Sequence, residues 1–388
     1  MSRSKSPADA ATPSKTPGSE RSVPRRKFLT GAAVGAAAAA AGCAPGSEGG
    51  ESAAVQTKPR LTWRLASSFP RGLDTIYGAA EVFAERVAKL TDDRFQIRCY
   101  PANELVPALQ VLDAVQQGTV QIGHSASYYF KGKNPALAFD TAMPFGLTAR
   151  QQNAWLYHGG GLELMQEVFS DFNVRSFPGG NTGTQMGGWF RREIGSLADL
   201  RGLKMRIPGH GAEVMAELGV TVQTLAGSEI YPALERGAID ATEWIGPYDD
   251  EKLGFQRVAQ YYYYPGWWEP GPNLSIYVNQ DDWAKLPAAY QEVFEAAAYE
   301  ANMTMLSRYD AENPAALARL VEGGVQLRPF AQDIMEAAQT QAEAILEQEA
   351  SEDPTYRKIY DSWKAMRSSS YEWFSRAEMA YASFAFGR

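Results

Sequence analysis

Cysteine is nearly absent from this 388-residue chain, which has only Cys43 and Cys99. Two thiols are too few for a disulfide scaffold or a thiolate zinc site. Histidine is almost as scarce, with His124, His158 and His210 alone, so a histidine-built metal or catalytic centre has little material. Positive charge is in deficit: 37 Lys and Arg stand against 45 Asp and Glu, a net of −8. That balance argues against a nucleic-acid groove, which needs clustered Lys and Arg. Long apolar runs are missing too. The one sizeable run, from Phe28 to Gly42, is 15 residues of mostly Ala and Gly, too short to cross a membrane core of about 30 Å. What remains is 45% hydrophobic, 12% aromatic and 21% charged, with 35 Gly and 22 Pro in no repeating pattern. Such a composition folds into a globule, and its length allows one large domain or two to three ordinary ones.

The first 42 residues read as an address. A polar Ser/Pro/Thr-rich start leads to Pro24-Arg25-Arg26-Lys27-Phe28-Leu29 and then the Ala/Gly run, the pattern of a twin-arginine export signal. Ala40-Ala41-Gly42-Cys43 looks like a lipobox with Cys43 as the lipidated residue. Loss of this leader removes seven basic and two acidic residues, leaving 30 Lys and Arg against 43 Asp and Glu, a balance of −13. Residues 43–60, rich in Gly, Ser and Glu, read as a flexible tether. The body is therefore expected to work outside the cytoplasm. Cys99, in the alternating run Phe95-Gln96-Ile97-Arg98-Cys99-Tyr100, reads as a buried strand residue.

From residue 61 the hydrophobic period alternates between two and 3.6. A strand at 61–66, a helix at 74–91, a strand at 95–100, a helix at 105–117 and a strand at 120–123 give β-α-β-α-β, the order of a parallel sheet covered by helices. The syntax recurs at 202–241. Ala114-Val115-Gln116-Gln117-Gly118-Thr119-Val120-Gln121-Ile122 and Ala233-Leu234-Glu235-Arg236-Gly237-Ala238-Ile239-Asp240-Ala241 both read helix, glycine stop, strand. An α/β protein of two lobes with a cleft between them is expected. Lobe I is placed at 61–150, with part of 275–310 returning to it, and lobe II at 151–274. A helical region covers 311–388, and the chain reads as helical throughout from Trp283 onward. Asp353-Pro354 opens a helix reaching about 386, roughly 50 Å long. Its apolar positions exceed what one lobe can cover, so it braces both lobes or packs on a second chain.

Nucleotide and nucleophile motifs fail. Gly123-His124-Ser125-Ala126-Ser127 lacks the closing glycine of a nucleophile elbow. Gly209-His210-Gly211-Ala212-Glu213-Val214 lacks the third glycine of a dinucleotide fingerprint, and the glycine-rich 179–188 stretch has no P-loop Lys. Residues suited to a small anion do occur. Arg206 ends a strand where a lobe opens, and its planar fork matches a carboxylate. Glu243-Trp244 follows the strand at 238–241, Glu269 follows Trp267-Trp268, and Gln185 lies among glycines. Two carboxylates and an amide oxygen suit a hard cation, Na⁺ or Ca²⁺. Each acid alone could equally be a solvated loop carboxylate.

The stretches Leu200-Arg201-Gly202-Leu203-Lys204-Met205-Arg206-Ile207-Pro208-Gly209, Leu112-Asp113-Ala114-Val115-Gln116-Gln117-Gly118 and 233–241 resemble the substrate-binding proteins of tripartite ATP-independent periplasmic (TRAP) transporters. The likeness covers nearly all of 61–388. Gly180-Asn181-Thr182-Gly183-Thr184-Gln185-Met186-Gly187-Gly188, Glu243-Trp244-Ile245-Gly246-Pro247 and Trp267-Trp268-Glu269-Pro270-Gly271 are similar to the branch that takes 2-oxo acids or lactate with a metal ion. The resemblance implies a two-lobed periplasmic-binding-protein fold with a hinge cleft and a long C-terminal helix. It implies a receptor, not an enzyme, which hands a small 2-oxo or 2-hydroxy monocarboxylate to the small and large membrane subunits of its transporter. Arg206 would clamp the carboxylate and Gln185 would touch substrate and cation. Glu243 and the Trp244 carbonyl would ligate Na⁺ or Ca²⁺ with Glu269 beside them. Tyr129 would bond the ligand from the first lobe, with Asn181 a further candidate. The terminal helix can mediate a homodimer in this branch. Cys43 departs from the freely soluble members. The alternatives are a C4-dicarboxylate receptor without metal, which needs a second cationic group, and a secreted metal-dependent enzyme acting on a small carboxylate.

Overall fold

A computed structural model describes residues 59–387, so the twin-arginine leader, Cys43 and most of the tether lie outside the described residues. Two sheets organise the body. In the first, β1 (Leu61–Ser67) lies between β2 (Phe95–Tyr100) and β3 (Ile122–Ser125), all parallel. Then β10 (Asn273–Asn279) runs antiparallel to β3 and carries β4 (Val174–Asn181) at the edge. The second sheet has the order β11-β9-β5-β8-β6-β7. Its strands are β5 (Trp189–Phe190), β6 (Lys204–Arg206), β7 (Thr221–Gln223), β8 (Ala241–Thr242), β9 (Tyr261–Tyr264) and β11 (Gln326–Pro329). This is the expected α/β two-lobed architecture with long C-terminal helices.

The recurring helix-glycine-strand unit is built the same way in both halves. Gly118 and Gly237 each take φ of 69°, the left-handed conformation that ends a helix. In each unit the next amide returns to the carbonyl five residues back, Thr119 to Ala114 at 2.8 Å and Ala238 to Ala233 at 2.9 Å. The turn consumes two or three residues. That is why β3 and β8 begin at 122 and 241, later than the expected 120 and 238.

Three connections join the sheets: residues 182–188, residues 265–272, and a 35-residue helix, Ala288–Glu322. That helix packs on β4 and on the helix Ile76–Leu90 of the first lobe, and on the helix Pro247–Leu253 of the second. The other two connections run side by side, with Gly266 N donating to Gln185 O at 2.9 Å and Gln185 N to Glu269 O at 3.2 Å. The approach is so close that a Cβ on Gly266 would stand 2.6 Å from the Met186 carbonyl oxygen.

Three sequence-based expectations differ from the structure. The helix expected at 105–117 is a 3₁₀ turn, Ala108–Gln110, and a short helix, Val111–Gln116, because Pro107 and the Asn103 side chain bond to Ala108 shape its start as a loop. The region after Trp283 is not wholly helical: Gln326–Pro329 pairs in parallel with β9 as an edge strand of the second sheet. Strand β4 falls inside the range 151–274 assigned to the second lobe, yet pairs with β10 in the first sheet. The terminal helix is present as Pro354–Phe374, one π turn and Ala380–Phe386. Asp353 caps it, its carboxylate accepting from the Thr355 and Tyr356 amides. Tyr356, Ile359, Tyr360 and Trp363 are buried on its inner face around Phe139, whereas Trp373, Met379, Tyr381 and Phe386 are exposed. Cys99 is a strand residue, half-buried and not fully buried, and its thiol meets the Ala80 carbonyl. Among the described residues, no helix is long and apolar enough to cross a membrane.

Candidate functional site

In parallel sheets, ligands sit at the carboxyl ends of strands. Four such ends converge on one cavity. Beyond β1 comes Phe69, beyond β3 come Tyr128 and Tyr129 on a 3₁₀ turn (Ser127–Phe130), β6 ends with Arg206, and β8 leads into Glu243-Trp244-Ile245. The paired connections add Thr182, Gln185 and Pro272 to the walls. The space enclosed is tight, with about 10 Å³ open to the centre of a water-sized sphere, enough for about one water. Among the described residues, Arg206 is the only cationic side chain lining it.

Arg206 is buried, at 1% exposure, and held from several sides. Its Nε donates to the Leu225 carbonyl at 3.1 Å, its Nη1 to the Glu243 carbonyl at 3.2 Å and also to the Glu243 carboxylate. The guanidinium lies over the Trp244 ring, 5.3 Å from its centre. One donor is left over: Arg206 Nη2 is buried without a hydrogen-bond partner. Two acceptors nearby share that condition, Gln185 Oε1 and Glu243 Oε2. Buried polar atoms in folded proteins are rarely unpaired, and those that are need an explanation. Here two unpaired donors, Arg206 Nη2 and Trp244 Nε1, and two unpaired acceptors belong to one site.

The electrostatics agree. Burial pushes the Glu243 carboxyl above the usual carboxylate range, with Asp250 adding to the rise and Arg206 opposing it. Glu269 is also pushed well above that range, by burial first and by Glu243 second. Both acids would gain from an added positive charge. Burial also raises Tyr128 and Tyr129, so both phenols stay protonated and able to donate. The Tyr128 hydroxyl lies 3.3 Å from Glu269 Oε2. The donor set of carboxylate, carboxylate and amide oxygen is hard, and its unpaired oxygens fit an Na⁺- or Ca²⁺-class ion better than zinc.

The structure thus brings together Arg206, Gln185, Glu243, Trp244, Glu269 and Tyr129. Asn181 is different: its Nδ2 donates to the Gly271 carbonyl at 3.0 Å and its Oδ1 accepts from the Gly183 amide at 2.9 Å. Its side chain ties the two connections together and does not line the cavity. Tyr128, Thr182, Phe69, Ile76 and Leu274 line the cavity and were missed. Phe69 was within reach of the strand-end rule applied to β1. Tyr128 required knowing that Ser127–Phe130 forms a 3₁₀ turn, where successive side chains diverge by about 120° and both tyrosines can face the cleft.

Residues 67–353 match the family model for bacterial extracellular solute-binding protein, family 7. A monocarboxylate 2-oxoacid-binding periplasmic protein of Nostoc sp. (strain PCC 7120) is 57% identical over 327 residues, spanning 84% of this chain and 90% of that protein. A TRAP solute-binding protein of Bordetella bronchiseptica RB50, solved as a dimer with copurified calcium and picolinate, is 47% identical at a TM-score of 0.84, covering 85% of this chain and 98% of that one. TRAP periplasmic proteins of Colwellia psychrerythraea, with calcium and pyruvate, and of Pseudoalteromonas atlantica T6c, with sodium and pyruvate, are 40% and 42% identical. Each has a TM-score of 0.81 and covers 84% of this chain and 99% of its own.

Proposed function

This chain belongs to family 7 of the bacterial extracellular solute-binding proteins, the TRAP receptors, and from that premise we propose that it binds a small 2-oxo monocarboxylate, pyruvate or a near homologue, together with Na⁺ or Ca²⁺. The observation that carries this reading is the trio of unpaired buried atoms, Arg206 Nη2 and Gln185 Oε1 on residues that line the cavity and Glu243 Oε2 on the acid paired with Arg206. A carboxylate satisfies the first and a hard cation the other two.

The residues divide the work by chemistry. Arg206 offers its free N–H to the ligand carboxylate. Glu243, the Trp244 carbonyl and Gln185 would hold the cation, with Glu269 beside them. When bound, the cation supplies positive charge against which the buried acids and the ligand carboxylate can coexist. Tyr129 donates from the first lobe, and Phe69, Ile76 and Leu274 offer an apolar wall to an alkyl tail. A single cationic side chain on the walls, among the described residues, disfavours a dicarboxylate. The lobes close because the ligand makes contacts in the closed state that it lacks in the open one. The role is delivery to the membrane subunits, not turnover. We place the protein outside the cytoplasm, exported by the twin-arginine route and anchored through Cys43. A second copy covers Trp373, Met379, Tyr381 and Phe386 on the terminal helix, in keeping with the dimeric Bordetella relative.

The test is a thermal-shift panel on the chain from residue 43, stripped of ligand by unfolding and refolding. Pyruvate, 2-oxobutyrate, lactate and succinate are each added with chelator, with Na⁺ and with Ca²⁺. A ligand at a hundred times its Kd adds about 2.7 kcal/mol to stability. A raised midpoint with a monocarboxylate, only in the presence of cation, is expected. A response to succinate alone, indifferent to chelator, would replace this reading with a dicarboxylate receptor.

A further inference from the structure

Each of the four strand ends that furnishes a wall of the cavity also carries a charged residue a few positions further on. Asp74 follows Phe69 beyond β1, and Lys131 follows Tyr128 and Tyr129 beyond β3. In the second lobe, Glu213 lies on the helix Gly209–Glu217 that leaves Arg206, and Lys252 on the helix Pro247–Leu253 that leaves Trp244. These four residues pair across the cleft and not within a lobe. Lys252 donates to Asp74, and Lys131 forms an ion pair with Glu213.

Both contacts are reinforced. Asp74 Oδ2 also accepts from Arg308 on the Ala288–Glu322 helix at 2.5 Å and from the Tyr248 hydroxyl at 3.3 Å. Lys131 lies 4.0 Å from Glu349, whose other oxygen is 2.6 Å from His210 Nε2. His210, Glu213 and Glu349 stand close enough to one another to hold a metal ion. The Lys131 ammonium, however, already sits against both carboxylates, so the cluster is an ion network. The charges are partly buried, between 19% and 47% exposed, which shelters them from full solvent screening.

We propose that these two interlobe ion clasps, Asp74 with Lys252 and Arg308, and Lys131 with Glu213 and Glu349, form a closing device that holds the lobes together over the bound ligand and sets how long it stays. The proposal rests on the solute-receptor reading, to which it adds a means of control. Neither clasp touches the cavity. They act on the balance between open and closed forms, and a closed form favoured by extra contacts slows release more than it speeds capture. Charge pairs of this exposure weaken in salt, so residence time becomes a function of ionic strength.

The test compares the wild type with Lys131→Met/Lys252→Met, which keeps the apolar stems and leaves every carboxylate in place. Pyruvate release in the presence of Ca²⁺ is followed by stopped-flow tryptophan fluorescence, with ionic strength set by choline chloride so that Na⁺ stays fixed. At low salt the double variant is expected to release pyruvate about fivefold faster, with capture changed less than about twofold. Rising salt should bring the wild type towards the variant and leave the variant nearly unaltered. Equal release rates and equal salt responses would overturn the proposal. Should the wild type bind no pyruvate at all, the receptor reading fails, and X-ray scattering from the unliganded chains still decides on the clasps. An expanded variant beside a compact wild type at low salt supports them, and identical profiles overturn them.

Discussion

The strand ends of β3 and β8 are two copies of one local design that have taken opposite chemistries. Each follows a helix stopped by a glycine at φ of 69°, and each leads into the cavity. The first delivers neutral phenols, Tyr128 and Tyr129. The second delivers Glu243 and Trp244, beside Arg206 from the neighbouring strand. Beneath each lies a buried aspartate. Asp140 accepts the hydroxyls of Ser127 and Ser275, and Asp250 accepts Trp189 Nε1 at 2.9 Å, the Tyr262 hydroxyl at 2.7 Å and the Ile245 amide. Burial raises both to about 6. The contrast teaches that the two sides of the cavity differ in chemistry: the second lobe contributes Arg206 paired with Glu243, and the first contributes phenols.

The largest effect expected from breaking this asymmetry comes from Arg206→Ala. Pyruvate affinity measured by calorimetry should fall by roughly a hundredfold or more, as for loss of a buried charged partner. A fall of less than tenfold would move recognition elsewhere. Next, Glu243→Gln should remove the dependence on cation, so that Ca²⁺ no longer raises the melting midpoint and pyruvate binds about tenfold or more weakly; an undiminished calcium response would assign the cation to Glu269 and Gln185 alone. On the neutral side the loss is smaller. Tyr129→Phe should weaken pyruvate by about fivefold, the worth of one hydrogen bond, with the calcium response intact.

The smallest effect tests the buried aspartate of the neutral side. With its folded value raised from 3.8 to about 6, Asp140 holds, between those two values, a proton in the folded chain that it has lost in the unfolded one. Its contribution to stability is therefore fully present below about pH 4 and declines as pH rises through 6. Asp140→Asn cannot ionise and escapes that decline. Its melting midpoint should gain on the wild type by roughly 2–4 °C between pH 4.5 and 7. A constant difference across that range would mean that the two hydroxyl donors, and not burial, govern this carboxyl.

Much of this was legible because it depends on short stretches. The Gly118 and Gly237 stops, the Asp353 cap and the alternation of β1 are local patterns whose causes lie within a few residues. Arg206, Glu243 and Glu269 could be singled out because a charged side chain next to a strand end or a Pro-Gly turn is informative by itself. What escaped depends on distant partners. Gln326–Pro329 becomes a strand only because β9 offers it an open edge, and β4 joins the first sheet only because β10 returns there from residue 273. Asn181 looked like a ligand contact since polarity and a glycine-rich setting are visible in the chain. The Gly271 carbonyl that occupies its amide is ninety residues away.

Gln185 and Glu269 sit on the two strands of chain that cross side by side between the sheets. A lever moves least at its fulcrum, so when the halves swing these two groups travel little, while Tyr129 and Phe69 travel with the moving arm. On the proposed reading, what Gln185 and Glu269 hold would stay seated as the halves part, and what leans on Tyr129 would be let go first.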